Sequence, residues 1–434
     1  MYIIGINFGY KETTASLYDT ENRLGMVKRL HILDGNTSES CIIESAVGRN
    51  WRGGEWQLVK DVCDCCVPDI SNDFIGPMNA MTPKKKEAFA AFVWLVFEHI
   101  LKNQEFLYYN PVTGERNFEI YVALGKENIN QAKEYKNFIS GIIPLDWVIP
   151  DSLAIYFKFK TERKDIFSIS SALVINIDSR SIDFTAYNEN GKQSLLKVYE
   201  HGSSAIENLI YKYFEEHDEN FNIAKEEGEA LCSSIDWRNA VIHYINRKKK
   251  WFYNSELSGL FLDLSNRYIC NGKRRVFDDC EISEKQLEDE ILAPYRQTLL
   301  QDMNDVKQRL AKEKNGIPGV VILTGESSRM PWLQRLVKDV FSDSQVFRDH
   351  EPLYVVSDGL VYYGTGIPKM KSAIENLKTS IATAFHEFHI QDFNTAYADY
   401  VISKMQDFLE DEHMLEYAKK EPEKQEEPIR LKKS

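Results

Sequence analysis

Two stretches of this chain, offset by 169 residues, share one layout, and that spacing constrains the fold more than any other feature. In the first, Tyr2 to Tyr18 reads as two short apolar runs around the polar GYKETT, the pattern of a β-hairpin. In the second, SALVINIDSRSIDFTAYNENGK (171–192) reads the same way, with Ile175-Asn176 falling on Ile6-Asn7. Eleven residues past each Asn stands a Tyr, Tyr18 or Tyr187, followed by a polar turn. Two copies of one supersecondary unit imply a duplicated domain, because a solenoid needs more repeats. The expected architecture is two similar lobes, residues 1–168 and 169–370, facing each other across a cleft. A helical, increasingly charged extension over 371–434 follows.

The segments between the hairpins alternate strands with helices, which makes the fold class α/β. In the first half a third run, Gly25 to Leu33, extends the hairpin toward a meander. An inserted subdomain at about 34–116 contains short strands, loops and a helix over Lys84 to Lys102, opened by Pro83. NFEIYVALG (117–125) then reads as a buried strand, Asn128 to Ile139 as helix, and Ile142 to Ile149 as an apolar run leading into DSLAIYFKF. In the second half HGSSAIENLIYKYFEEH reads as helix, and an inserted subdomain at about 211–314 is mostly helical. VVILTGESS (320–328) is a buried strand ending in a glycine loop, and MPWLQRLVKDVF is a helix.

Charge and composition exclude several function classes. A formal net charge of −13 disfavours nucleic acid and anionic membrane, since Lys and Arg carry such binding. MYIIGINFGYKE turns polar too soon for a signal peptide, and no later segment has the length and apolarity to span a bilayer. The expected location is cytoplasmic. Seven cysteines suit reduced thiols, and the run Cys63-Asp64-Cys65-Cys66 lacks a second ligand cluster nearby, so no metal site is expected.

Three segments together resemble the actin and heat-shock protein 70 superfamily of ATPases. IGINFGYKET is similar to its first phosphate loop, NIDSRSIDF to its second, and VVILTGESSRMPWLQ to its adenosine motif. SDGLVYYGTG (357–366) resembles the stretch by which the family's chain returns to its first lobe. The match spans roughly residues 1 to 370, and TGESSRMP favours heat-shock protein 70 over actin or sugar kinases. The resemblance implies a ribonuclease H-like, actin-like ATPase fold with a central nucleotide cleft.

What the resemblance implies for chemistry is a degenerate site. Asn7 and Asn176 stand where the family carries acidic residues for hydrated magnesium and for the attacking water. An amide cannot act as a base or supply that charge, so magnesium binding and hydrolysis should both suffer. Tyr10 and Lys11 follow Gly9 in place of small residues, and Asp178-Ser179-Arg180 replaces a glycine run, with Ser181 keeping a hydroxyl. Pro150-Asp151-Ser152 replaces a Glu-Pro-Thr-like segment, and Lys60 is the one candidate for the family's catalytic lysine.

On the adenosine side Gly325, Ser327 and Arg329 match, and Glu326 replaces a second glycine. RKKK alone reads as a solvated helix face, and only the resemblance, in which Lys249 and Lys250 match the basic pair beside adenine, sets a binding role level with that reading. Gly202-Ser203 resembles the ribose-side turn. Because Lys11 and Arg180 appear where carboxylates were lost, the cleft is expected to draw phosphate directly, without magnesium.

Three functions stay open on the sequence. The leading one is a divergent heat-shock protein 70-like protein that binds ATP or ADP weakly, with impaired or absent hydrolysis, and acts through unidentified protein partners. No peptide-binding sandwich of the kind those chaperones carry is expected in the about 64 residues after Met370, because they read as helix. The second is an active ATPase or kinase in which residues such as Asp178 or Asp183 replace the lost carboxylates. Asp183 reads more simply as shaping its hairpin. The third is a nucleotide-free scaffold.

Overall fold

Apolar and β-branched residues alternate through the first hairpin, and β1 (Tyr2–Phe8) pairs antiparallel with β2 (Glu12–Asp19) so that Asn7 faces Thr14. In this computed structural model the described residues are 1–366, apart from 22–25, 34–40, 50–54, 59–68, 72–74, 164–165, 167–170, 189–190, 232–233, 255–258, 263–279 and 314–315. Lys60, Cys63 to Cys66 and the extension over 371–434 lie outside them, as does the side chain of Lys250. β3 (Val27–Arg29) continues the antiparallel order from within the expected third run. β4 (Ile42–Glu44) pairs with the other end of β2. The next strands, β5 (Val47–Arg49), β6 (Gln57–Leu58) and β7 (Asp69–Ser71), form a separate small sheet. β8 (Phe118–Leu124) and β9 (Trp147–Pro150) complete the first large sheet, both parallel to β1, in the order β3-β2-β1-β8-β9.

The second half repeats that sheet. β10 (Ala172–Ile177), β11 (Ile182–Tyr187) and β12 (Gln193–Tyr199) run antiparallel, and β13 (Gly259–Leu262) pairs with β14 (Cys280–Ser283) apart from them. β15 (Val320–Thr324) and β16 (Gln345–Arg348) then add in parallel, giving the order β12-β11-β10-β15-β16. Asn176 faces Asp183 as Asn7 faces Thr14, so the 169-residue offset holds pair by pair. The architecture is mixed α/β, with two large sheets of one topology. Central parallel strands are buried on both faces, which is why β10 and β15 read as unbroken apolar runs.

Helices cover these sheets. Pro83–Asn103 is the longest of the first half; Thr82 caps it by accepting a hydrogen bond from the Lys85 amide. Its buried stripe includes Phe89 and Phe92, whose rings lie 6.1 Å from Phe8 of β1. In the second half Ser204–His217, Ser234–Asn254, Ala293–Lys312 and Pro331–Val340 share a core containing Trp237 and Trp332.

A third core joins the halves. It combines Ile3 and Tyr121 of the first sheet, Val174, Tyr187 and Ile322 of the second, and Tyr156 of the helix Asp151–Glu162. Tyr156 and Tyr187 stack with ring centres 4.6 Å apart. Helical residues 355–366 return to this core through Val355, Leu360 and Val361. A Cβ on Gly359 would lie 2.0 Å from the Ala154 carbonyl oxygen, so the two helices cross at backbone contact. Full burial of each large apolar side chain contributes about 1.5–3 kcal/mol, so this shared core holds the halves as one body. Among the described residues no helix is long and apolar enough to cross a membrane.

Candidate functional site

β1, β8 and β9 run parallel in the first sheet and β10 and β15 in the second, and open α/β sheets place ligands beyond the carboxyl ends of such strands. A cleft of about 560 Å³ lies there. The first half contributes Asn7, Gly9, Tyr10 and Lys11 from the first turn, Lys126 and Glu127 past β8, and Asp151. The second contributes Asn176, Asp178, Arg180 and Ser181 from its turn, with Thr324, Gly325 and Glu326 past β15.

Two glycines shape the second wall. Gly325 has φ +88°, and a Cβ there would stand 2.3 Å from the Ile177 carbonyl oxygen and 2.9 Å from Asn176 Oδ1. A Cβ on Gly202 would meet the Asp178 carbonyl oxygen at 2.2 Å. That closeness lets the amides of Ser203 and Ser204 donate to the carbonyls of Asp178 and Ser179, seating the second turn on the start of the helix Ser204–His217.

Ion pairs and a cation–π contact cross the cleft from one half to the other. Lys126 Nζ lies 2.5 Å from Asp183 Oδ1, with side-chain exposures of 7% and 1%. Burial alone would lower the lysine's pKa, but Asp183, then Asp178 and Asp151, outweigh it and hold the ammonium charged. Burial also pushes the Asp151 and Asp183 carboxyls up, Asp151 further under the charge of Asp183, while Lys126 opposes both shifts. Lys11 Nζ pairs with Glu207 Oε1 at 3.0 Å, and Lys249 Nζ reaches the same oxygen at 2.8 Å. With its amide turned nitrogen-first, Asn246 donates to Glu207 Oε1 at 2.7 Å and to Glu326 Oε1 at 3.2 Å. Burial would raise the Glu207 carboxyl, yet Lys11 and Lys249 win and hold it below the usual carboxylate range. The Arg180 guanidinium lies 3.6 Å from the centre of the Tyr10 ring.

These contacts engage the two cations, Lys11 and Arg180, that were expected to draw phosphate directly. Lys11 is engaged by a buried carboxylate, and Arg180 is spread over an aromatic face. Six carboxylates, Glu12, Glu127, Asp151, Asp178, Glu200 and Glu326, line the cleft against three cations, Lys11, Lys126 and Arg180. An unscreened polyphosphate meets net repulsion there. Asp183, expected to shape its hairpin, is an ion-pair partner as well.

The remaining expected residues divide into two groups. Asn7, Asn176, Gly9, Tyr10, Lys11, Ser181, Gly325 and Glu326 all line the one cleft. Gly202, Ser203, Lys249, Ser327 and Arg329 adjoin it without being among its lining residues. Lys249 is fully buried, so RKKK is not a uniformly solvated face.

The residues present do not fit a magnesium ion. Amides stand at the ends of β1 and β10, the Lys126 ammonium already pairs with Asp183, and no cluster of His, Cys, Asp or Glu suited to a metal occurs among the described residues. They fit a polar, metal-free ligand group better on the β15 side. There Thr324 Oγ1 in the cleft wall, and Ser203 Oγ and Ser327 Oγ in the adjoining turns, are buried without a hydrogen-bond partner among the described residues.

Sequence reading missed Lys126 and Glu207. Lys126 follows a buried parallel strand at its carboxyl end, which was a usable signal. Glu207 lies among Ile206, Ile210, Tyr211 and Phe214 on a helix face that is otherwise apolar, and an acid there needs a cationic partner. Neither a protein-family model nor a curated protein matches the sequence.

Proposed function

We propose that this protein is a divergent, catalytically impaired relative of the actin and heat-shock protein 70 ATPases, a duplicated two-lobed ribonuclease H-like body. Its cleft binds ATP or ADP weakly without hydrolysing it, and its work is done through protein partners in the cytoplasm. The observation that carries this is the equivalence of Asn7 and Asn176, which occupy matching register positions in two sheets of the same order and face one cleft. Neither amide can take a proton from water, and neither supplies the charge that a hydrated divalent ion needs. The buried hydroxyls of Thr324, Ser327 and Ser203 support binding at the nucleoside end, and the carboxylate-rich floor keeps affinity for the phosphates low.

Thermal unfolding with ATP or ADP, each in magnesium and in EDTA, tests this. Millimolar nucleotide should raise Tm by about 1–3 °C, equally in both buffers. Phosphate release should stay at the level of a Lys11→Ala control. Wild-type turnover clearly above that control would sink the non-hydrolytic reading. One observation favours a second reading, a nucleotide-free scaffold: the ion pairs of Lys11 and Lys126 already join the walls without any ligand. Complete absence of a Tm shift selects it.

A further inference from the structure

On the reading that this cleft takes a nucleoside, we propose that its first turn is an autoinhibitory strap: Tyr10 and Lys11 reach across to second-half partners, and a ligand enters only when that hold is released. The strap has a fixed root. Gly9 makes the tight bend, since a Cβ there would stand 2.4 Å from the Glu12 carbonyl oxygen. Ser45 pins both sides of it, its hydroxyl donating to the Gly9 carbonyl at 2.6 Å and its amide to the Lys11 carbonyl at 2.9 Å. With the backbone held on the first half, the two side chains after Gly9 line the cleft and meet the other half.

Both ends of the strap can let go. Lys11 is partly exposed and pairs with Glu207 Oε1 at 3.0 Å, whereas Lys249 holds the same oxygen from inside at 2.8 Å and Asn246 donates to it at 2.7 Å. Releasing Lys11 therefore strands no buried charge, because Glu207 retains a buried cation and the freed ammonium goes to water. Through Asn246, which also donates to Glu326 Oε1 at 3.2 Å, the pair is connected to the cleft wall at the nucleoside end. At the other end the exposed Arg180 guanidinium lies 3.6 Å from the centre of the Tyr10 ring and against the Gly76 backbone, where a Cβ would stand 3.3 Å from its Nη1. Cation–π contacts at exposed sites are weak, so this end is reversible too.

Lys11→Met keeps the stem and removes the ammonium, and adenosine is the probe because it has no phosphate for Lys11 to attract. Titration calorimetry in EDTA reads its binding to wild type and variant. Lys11→Met should bind adenosine about fivefold tighter, the population shift that one partly exposed ion pair sustains. Hydrogen exchange in residues 8–12 and 178–181 should be faster in the free variant than in free wild type. Tyr10→Leu, which keeps apolar volume and removes the ring face, should move both readings the same way, and it decides the matter if Lys11→Met does not fold. Binding by the variants alone also supports the strap. Wild type binding adenosine as tightly as the folded variants, or more tightly, overturns the strap and leaves the nucleoside reading standing. Tighter binding without faster exchange overturns it as well, since the new side chain would then be the source of the gain. No adenosine binding by wild type or either variant overturns both.

Discussion

Glu207→Ala loses about 3–5 kcal/mol of folding free energy, because it strands the Lys249 ammonium inside the protein. Glu207 is fully buried on the helix Ser204–His217, and one of its oxygens receives Lys249 at 2.8 Å and Lys11 at 3.0 Å. The two lysines differ in what they can do afterwards. Lys11 keeps 23% of its side chain exposed and can swing to solvent, whereas Lys249 keeps 2% and cannot. The loss is therefore the cost of an uncompensated buried charge more than the worth of an attraction. That distinction is measurable in the double variant Glu207→Met/Lys249→Met, which should recover most of the stability lost by Glu207→Ala. Urea unfolding at constant m reads both. The carboxyl's lowered pKa sets a pH signature: its contribution is present above the ordinary glutamate range and fades as pH falls through the folded value. A loss under about 1 kcal/mol in Glu207→Ala would mean that the buried triad does not form in solution.

The sequence carried the repeated hairpins down to individual pairs, since a strand's period of two and its turn residues are local properties. Thr14 and Asp183 differ in chemistry, yet they occupy one register position in the two copies. The helix expected over Lys84 to Lys102 forms as Pro83–Asn103 for the same reason, because its cap, its proline and its apolar stripe are all local. Across the cleft this locality fails. Lys11 and Glu207 are 196 residues apart and Lys126 and Asp183 are 57 apart, so no periodicity links them. Such partners are decided by how two sheets are set against each other through the core of Tyr121, Tyr156 and Tyr187. Lys249 shows the same limit from the other side. Within RKKK it reads as one of four equivalent charges, and only the position of Glu207 makes it a core residue.

Asp358→Asn should stabilise the protein at neutral pH by about 2 kcal/mol and change it little at pH 4. Asp358 sits on the returning helical residues 355–366, where Ser16 Oγ donates to its Oδ1 at 2.5 Å. Burial pushes its carboxyl from the ordinary 3.8 up to about 6, and the Ser16 hydrogen bond with the charges of Lys158 and Arg29 offsets only part of that. A raised carboxyl binds its proton more tightly in the folded state than in the unfolded one. It favours folding below the unfolded value, and that advantage is lost as pH rises from about 4 through 6. At about 1.4 kcal/mol per pH unit, a rise of roughly two units costs about 3 kcal/mol once both states are ionised. The attraction of Arg29 and Lys158 is already contained in that figure; asparagine keeps an oxygen for Ser16 and carries no charge to bury, but its amide nitrogen has to be buried as well, which brings the net gain nearer about 2 kcal/mol. Urea midpoints for wild type and variant between pH 4 and pH 8 measure the difference. It should open across that interval, and a variant no more stable than wild type at pH 8 would show that Arg29 and Lys158 fully compensate the buried carboxylate.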